Sequence, residues 1–260
     1  LPISFSEKLT ASELVALLNQ YLTDMTDVLL ENNGTLDKYI GDAIVAFYGA
    51  PIEIEDHEYW SCITAIKMQE SLDLLRQGWQ AEGDRWPEIV HNMQNRIGIS
   101  SGQMVTGNMG SEARMNYTMM GDTVNLAARL EPAAKHYGVY LIVAENTQKA
   151  VANQFEWRFL DFLRVKGKNK PVKAYELISL KNEMTDDQSQ LVQAFNQGMD
   201  LYQKQDWTKA KKQFKDTLAL EENFLMRPTT PSAIYINRCD QFKVEPPEKD
   251  WDGVFTMQTK

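Results

Sequence analysis

Thr10 followed three residues later by Glu13 forms a capping box. Leu14, Leu17, Leu18, Tyr21, Leu22, Met25, Val28 and Leu29 then recur at helical spacing until Asn32-Asn33-Gly34, which predicts an amphipathic helix covering a sheet. Over residues 34–51 the period changes. Two β-rich runs meet at Gly41-Asp42, which predicts a hairpin with Asp42 at its tip and Gly41 supplying the positive φ of a tight turn. Strict alternation puts Leu36, Lys38 and Ile40 on one face and Thr35, Asp37 and Tyr39 on the other. A second helix is expected over about 57–83, with Ile63, Ile66, Met68 and Leu72 as its apolar stripe, followed by a polar loop. Residues 96–102 and 104–110 read as a second hairpin turning near Ser101-Gly102, where Gly107 and Gly110 admit close approach to the backbone. A third helix opens at Gly121-Asp122, carries Val124, Ala127, Ala128 and Leu130 as its buried side, and ends near Tyr137-Gly138. A short strand at 139–143, a brief helix after Glu145 and a strand pair within 155–180 follow. The alternation of helices with hairpins, without an internal repeat, predicts an α+β domain: a sheet packed on one side by helices.

Past Met184 the pattern changes. A polar junction at 185–190 leads into two helices broken at Gln205-Asp206, with Ala194, Gly198, Leu201, Tyr202, Trp207, Ala210, Phe214 and Leu218 at a spacing similar to one tetratricopeptide unit. A lone unit cannot bury its own face, so this pair must dock on something. The proline-containing tail, 226–260, is expected to be extended and pinned by Tyr235, Phe242 and Trp251. The expected division is therefore 1–180, 181–225 and 226–260.

Composition narrows the function. With 260 residues and 43% hydrophobic content the chain can bury a full core, and a net charge of -9 with pI near 5.0 argues against nucleic acid as a partner. A phosphate ligand must therefore meet a local basic cluster. Cys62 and Cys239 form no metal-ligand spacing and no disulfide framework, which fits a reducing, cytoplasmic setting. No apolar run is long enough to span a bilayer, and the chain opens on Leu-Pro-Ile-Ser-Phe-Ser-Glu-Lys without a signal-peptide pattern or an initiator Met, as a fragment of something longer does.

Candidate chemistry sits in few places. Asn125 and Arg129 stand at i and i+4 on the third helix, so an amide and a guanidinium project from one face toward one point, an arrangement suited to an oxyanion or equally to solvent. Lys166, Lys168 and Lys170 make a basic turn suited to a polyphosphate or, again, to solvent. Asp37, Asp42 and Asp56 are candidate cation ligands, of which only Asp42 lies at a rigid tip; magnesium asks for one or two carboxylates plus substrate phosphates. Lys38 on an apolar face needs a partner. His57, His91 and His136 read as structural, and the methionines around Tyr117 and Thr118 as core or interface.

Taken together, Asp-Lys-Tyr-Ile-Gly-Asp-Ala-Ile-Val-Ala-Phe, Arg-Ile-Gly-Ile-Ser-Ser-Gly, Gly-Asn-Met-Gly-Ser, Tyr-Thr-Met-Met-Gly-Asp-Thr-Val-Asn-Leu-Ala-Ala-Arg-Leu-Glu and Val-Lys-Gly-Lys resemble the class III nucleotidyl cyclase homology domain over about residues 5–180. The resemblance implies a ferredoxin-like βαββαβ core with added strands and helices, and conversion of a nucleoside triphosphate to a 3′,5′-cyclic monophosphate and pyrophosphate with two Mg2+ ions, Mn2+ substituting. It implies that Asp42 binds metal, Asn125 orients the ribose, Arg129 stabilises the α-phosphate, Lys166 holds the terminal phosphates, and Lys38 with Thr118 reads the base. Lys38 can donate to adenine N1, and the Thr118 hydroxyl can accept or donate according to its rotor. Guanylyl cyclases usually place Glu and Cys there, so ATP and cyclic AMP are expected. Threonine at this position also resembles the subgroup that includes bicarbonate-responsive enzymes. Sites are shared between two domains in this family, which implies a symmetric homodimer. The family's first strand ends in another metal aspartate upstream of Ser6-Glu7, which this chain starts too late to include. The tail resembles that of bacterial cyclases with an upstream sensor and membrane spans, which implies a membrane-anchored parent with this part in the cytoplasm. The competing reading is a catalytically silent, cyclase-like dimerisation and regulatory module.

Overall fold

The computed structural model describes residues 8–163, 171–221, 227–248 and 251–254. The chain is α+β and divides into two compact units, residues 1–95 with 103–124 and residues 96–102 with 125–260.

The first unit opens with α1 (Ala11–Glu31), whose Thr10 hydroxyl accepts from the Glu13 amide while the Glu13 carboxylate accepts from the Thr10 amide, completing the capping box. Its buried stripe is Leu17, Tyr21, Met25 and Leu29. Strands β1 (Thr35–Ile40) and β2 (Ala43–Phe47) pair antiparallel about a two-residue turn in which Gly41 takes φ +63°, a left-handed conformation that a side chain would resist. Helix α2 (His57–Ala81) buries Cys62, Ile63, Ala65, Met68, Leu72, Leu75 and Trp79, a wider face than the expected stripe; Ile66 stays half-buried. It packs beside α1, where the Trp79 indole donates to Gln20 at 2.9 Å and the Lys67 ammonium to Asn32 at 2.7 Å. The expected polar loop holds a 3-10 turn (Gly83–Arg85) and the short α3 (Glu88–His91).

The expected second hairpin is not formed. β3 (Ile97–Ile99) leaves its sequence neighbour and pairs in parallel with β6 (Leu141–Ala144), while β4 (Val105–Ser111) pairs antiparallel with β5 (Arg114–Met120), turning at 112–113. Pairing of this kind is fixed by non-local packing, which a short strand's own sequence does not carry. At Gly110 the close approach comes from the partner strand: an added Cβ would collide with the Arg114 carbonyl oxygen, whereas Gly107 faces open space.

In the second unit the sheet order is β3-β6-β8-β7, with β7 (Phe155–Leu163) and β8 (Val172–Leu180) antiparallel. Helix α4 (Asp122–Tyr137) crosses the unit boundary and buries Leu126, Leu130, Ala133, Ala134 and Tyr137. Of the side expected from the sequence only Leu130 is buried; Ala128 is exposed. Here Gly98 permits close packing, since a Cβ on β3 would fall 2.7 Å from both the Ala127 carbonyl oxygen and the Glu131 amide. The short α5 (Glu145–Ala150) follows β6.

The same unit contains α6 (Asp186–Gln203), α7 (Trp207–Glu221) and α8 (Pro231–Val244). The tail expected to be extended instead holds a 14-residue helix, started by the Thr230 hydroxyl accepting from the Ala233 amide and by Pro231 in the first turn. Tyr235, Phe242 and Trp251 do pin it: with Phe195, Tyr202, Trp207 and Phe214 they build an aromatic cluster with Phe159 of β7 against it. Ring centroids lie 4.8 Å apart for Tyr202 and Tyr235 and 5.3 Å for Phe242 and Trp251.

Two sealed polar networks fasten these helices to the sheet. Arg158 of β7, 1% exposed, donates to Glu176 of β8 at 2.7 Å and pairs with Glu221 of α7; Arg227 donates to Glu176 at 2.6 Å, and the Ser232 amide of α8 to Glu221 at 3.2 Å. Nearby, Arg238 of α8 and Tyr137 of α4 both donate to Asp161 of β7 at 2.5 Å, and Tyr235 donates to the Leu160 carbonyl at 2.6 Å. Burial works against the charge on Glu176, but Arg158 and Arg227 outweigh it and hold its carboxyl below the ordinary carboxylate range. Desolvation pushes both buried thiols, Cys62 and Cys239, up to about 12. Among the described residues no helix is long and apolar enough to cross a membrane.

Candidate functional site

Three side chains meet on the hairpins of the first unit. Lys38 and Asp37 come from β1 and Thr118 from β5. The Lys38 ammonium donates to the Thr118 hydroxyl oxygen at 3.2 Å, and the Thr118 hydroxyl donates to Asp37 Oδ2 at 2.7 Å. The third side closes with Lys38 Nζ 3.5 Å from Asp37 Oδ1.

Strict alternation would send Lys38 and Asp37 to opposite faces. The ladder register explains why it does not: Leu36 faces Ala46 and Lys38 faces Val45, so Asp37 is an extra residue with no partner, a β-bulge. A bulge twists the strand and re-aims its side chains, and both neighbours reach Thr118. The Asp37 side chain is 2% exposed and the Lys38 side chain 44% exposed, so the carboxylate forms the floor and the ammonium opens to solvent. Among the described residues, Asp37 Oδ1 is buried without a hydrogen-bond partner. Such an atom is costly unless something answers it. Asp37, read from the sequence as a cation ligand, is instead engaged by Thr118 and Lys38; the bulge that does this depends on cross-strand register and left no signal in the sequence.

Asp42 is at the hairpin tip as expected, half-exposed after the Gly41 turn. Asp56 lies at the start of α2 with φ +57°. Among the described residues no group of three or more His, Cys, Asp or Glu could hold a metal ion by itself. One carboxylate at a rigid tip still fits magnesium, which commonly takes one or two carboxylates and completes its shell with substrate phosphates and water. Asn125 and Arg129 are both exposed on α4, one turn apart, each next in sequence to a buried leucine, Leu126 and Leu130. Lys166, Lys168, Lys170 and the Ser6-Glu7 pair lie outside the described residues. His57 pairs with its neighbour Glu58 at 3.1 Å, and the His136 ring packs edge-on to Tyr137 at 5.0 Å.

The arrangement offers one strong donor and one hydroxyl whose proton is already committed, a surface suited to a flat polar ligand edge, while the Asp42 carboxylate stands at the tip of the same hairpin. The family described as adenylate and guanylate cyclase catalytic domain matches residues 3–179. The terminal-differentiation specific adenylate cyclase of Dictyostelium discoideum is 31% identical over 244 residues, 92% of this chain but 11% of that protein. Adenylate cyclase 1 of Rhizobium meliloti is 30% identical over 177 residues, 68% of this chain and 26% of the relative. The chain thus spans a small part of the length of these relatives. Among solved structures, the adenylyl cyclase CyaB from P. aeruginosa aligns with a TM-score of 0.60 at 30% identity, covering 70% of this chain and 91% of that one. The guanylyl cyclase Cya2 aligns with a TM-score of 0.58 at 27% identity, covering 70% and 89%.

Proposed function

The chain belongs to the adenylate and guanylate cyclase catalytic domain family, and on that premise we propose that it makes 3′,5′-cyclic AMP from ATP, as a homodimer. The observation that carries the choice of ATP is the Lys38–Thr118 contact at 3.2 Å, which sets a cationic donor beside a hydroxyl acceptor. Adenine presents an acceptor at N1 next to a donor at its exocyclic amine, the complement of that pair; guanine presents the reverse, a carbonyl oxygen next to an N1–H.

In this reading the ribose 3′-hydroxyl attacks the α-phosphorus, a new phosphorus–oxygen bond closes the ring, and the bond to the bridging oxygen breaks to release pyrophosphate and a proton. Asn125 orients the ribose, and the Arg129 guanidinium stabilises charge on the α-phosphate oxygens as they become equatorial. Lys166 holds the terminal phosphates. Magnesium, or manganese in its place, held by Asp42 together with the substrate phosphates, supplies charge neutralisation at the reacting oxygens. The apolar side chains exposed on the two ribbons, Ile40, Val105, Met115 and Met120, each more than half exposed, favour a second copy of the chain as the partner.

Cyclic nucleotide formation by the full-length protein, with ATP or GTP and magnesium or manganese, tests the reading. Cyclic AMP from ATP, lost on Asp42→Ala and reduced at least about 100-fold by Arg129→Ala, supports it. No product from either nucleotide, with a dimer still present, replaces it with the silent regulatory module.

A further inference from the structure

We propose that Asp37, the extra residue of the β1 bulge, is a specificity-positioning residue: by taking the Thr118 proton it fixes that hydroxyl as an acceptor toward the ligand, so that the pocket selects a 6-aminopurine over a 6-oxopurine. This rests on the reading of Lys38 and Thr118 as the base-contacting pair and adds what neither residue can do alone.

A threonine hydroxyl has one proton and two lone pairs, and nothing in its own chemistry decides which it shows a ligand. Left free, Thr118 could accept from adenine's amine or donate to guanine's carbonyl and would discriminate poorly. In this structure the proton points to Asp37 Oδ2 at 2.7 Å, and one lone pair takes the Lys38 ammonium at 3.2 Å. What remains for a ligand is the other lone pair. The second carboxylate oxygen stands 3.5 Å from Lys38 Nζ, close enough to steady the ammonium in charge terms while making no hydrogen bond. The carboxylate is buried and the ammonium partly exposed, so the polarity is set from below while the donor remains available above. The bulge makes this possible, because in a regular strand residues 37 and 38 would diverge.

Replacing Asp37 by Asn has a definite consequence. An amide next to the Lys38 ammonium turns its oxygen toward the cation, so its NH2 faces Thr118 and donates to the hydroxyl oxygen. The Thr118 proton is then released toward the ligand, and the pocket's polarity at the purine 6-position inverts.

The test compares ATP, GTP and inosine triphosphate in the full-length protein, by turnover and by equilibrium binding. Inosine triphosphate carries the 6-oxo group of guanine without its 2-amino group. The wild-type protein should reject it as strongly as GTP, a result that needs no variant. Acceptance of inosine triphosphate with rejection of GTP would place discrimination at the 2-position and overturn the proposal. Asp37→Asn should lower the ATP:GTP ratio of kcat/KM by roughly 10- to 100-fold, as expected when a hydrogen-bonding group is turned the wrong way. In a Thr118→Val background Asp37→Asn should change that ratio no further, because Asp37 acts through the hydroxyl. An equal effect in both backgrounds, or an unchanged ratio in Asp37→Asn, would sink the idea. If the wild-type protein turns over no nucleotide, the cyclase reading fails separately. The binding ratios then decide this one: adenine preference lost in Asp37→Asn supports it, and equal binding of ATP and GTP by wild type overturns it.

Discussion

Two clusters of charged and hydroxyl-bearing side chains behave in opposite ways. The one around Arg158 is sealed: Arg158 and Glu221 are each 1% exposed, Glu176 is 2% exposed, and the carboxylates answer the guanidinium from two sides. The one around Thr118 opens to solvent through Lys38 and leaves a buried carboxylate oxygen without a hydrogen bond. A network that satisfies itself holds elements together; one that stops short has kept capacity for something else. The same residue chemistry thus serves fastening in the second unit and, under the proposed function, recognition in the first.

The comparison breaks most visibly if a fastening charge is removed. Arg158→Ala should destabilise the protein by about 3–5 kcal/mol, since it leaves Glu176 and Glu221 buried without their shared partner. Chemical denaturation followed by circular dichroism reads this, and a loss under about 1 kcal/mol would mean that water reaches the site. Acid should attack the same network. Glu176's folded pKa lies below its ordinary value of 4.5, so its contribution is complete above that value and is lost as pH falls through the depressed one. Denaturation midpoints measured from neutral pH down to about pH 3 should hold steady above about pH 4.5 and drop below it, with a shallower drop in an Arg227→Gln variant. The smallest structural effect belongs to the open cluster. Lys38→Ala should cost under about 1 kcal/mol, as partly exposed ion pairs do, while reducing nucleotide turnover; a large loss of stability would make Lys38 a fastening residue.

How far the sequence could be read follows the range of the interactions. The α1 capping box and the Gly41-Asp42 turn are local, and both stand where their residues put them. The partner of β4 is not legible, because Gly107 and the residues before it suit any antiparallel neighbour, and β3 finds β6 some 40 residues away in sequence. Helix α8 announces itself only through Thr230-Pro231; its buried side includes Ser232 and Arg238, which blur an apolar stripe. Arg158, Glu176 and Asp161 give no sign of burial in the sequence, because Glu221, Arg227 and Arg238, which answer them, arrive much later in the chain. In the candidate site, Lys38 and Thr118 are legible as a pair only through family resemblance. Asp37 is legible as a carboxylate but not as the bulge residue.

The buried Arg158 also bears on where this chain can be divided. The family match ends at residue 179, and a cut there looks natural from the sequence. It would remove Glu221, Arg227 and Arg238, stranding Arg158 beside a half-answered Glu176 and stripping Tyr137, at the end of the helix that bears Arg129, of one of its two polar contacts. The smallest piece that can be lifted out intact therefore runs through α8, and the outline of the motif is narrower than the outline of the object.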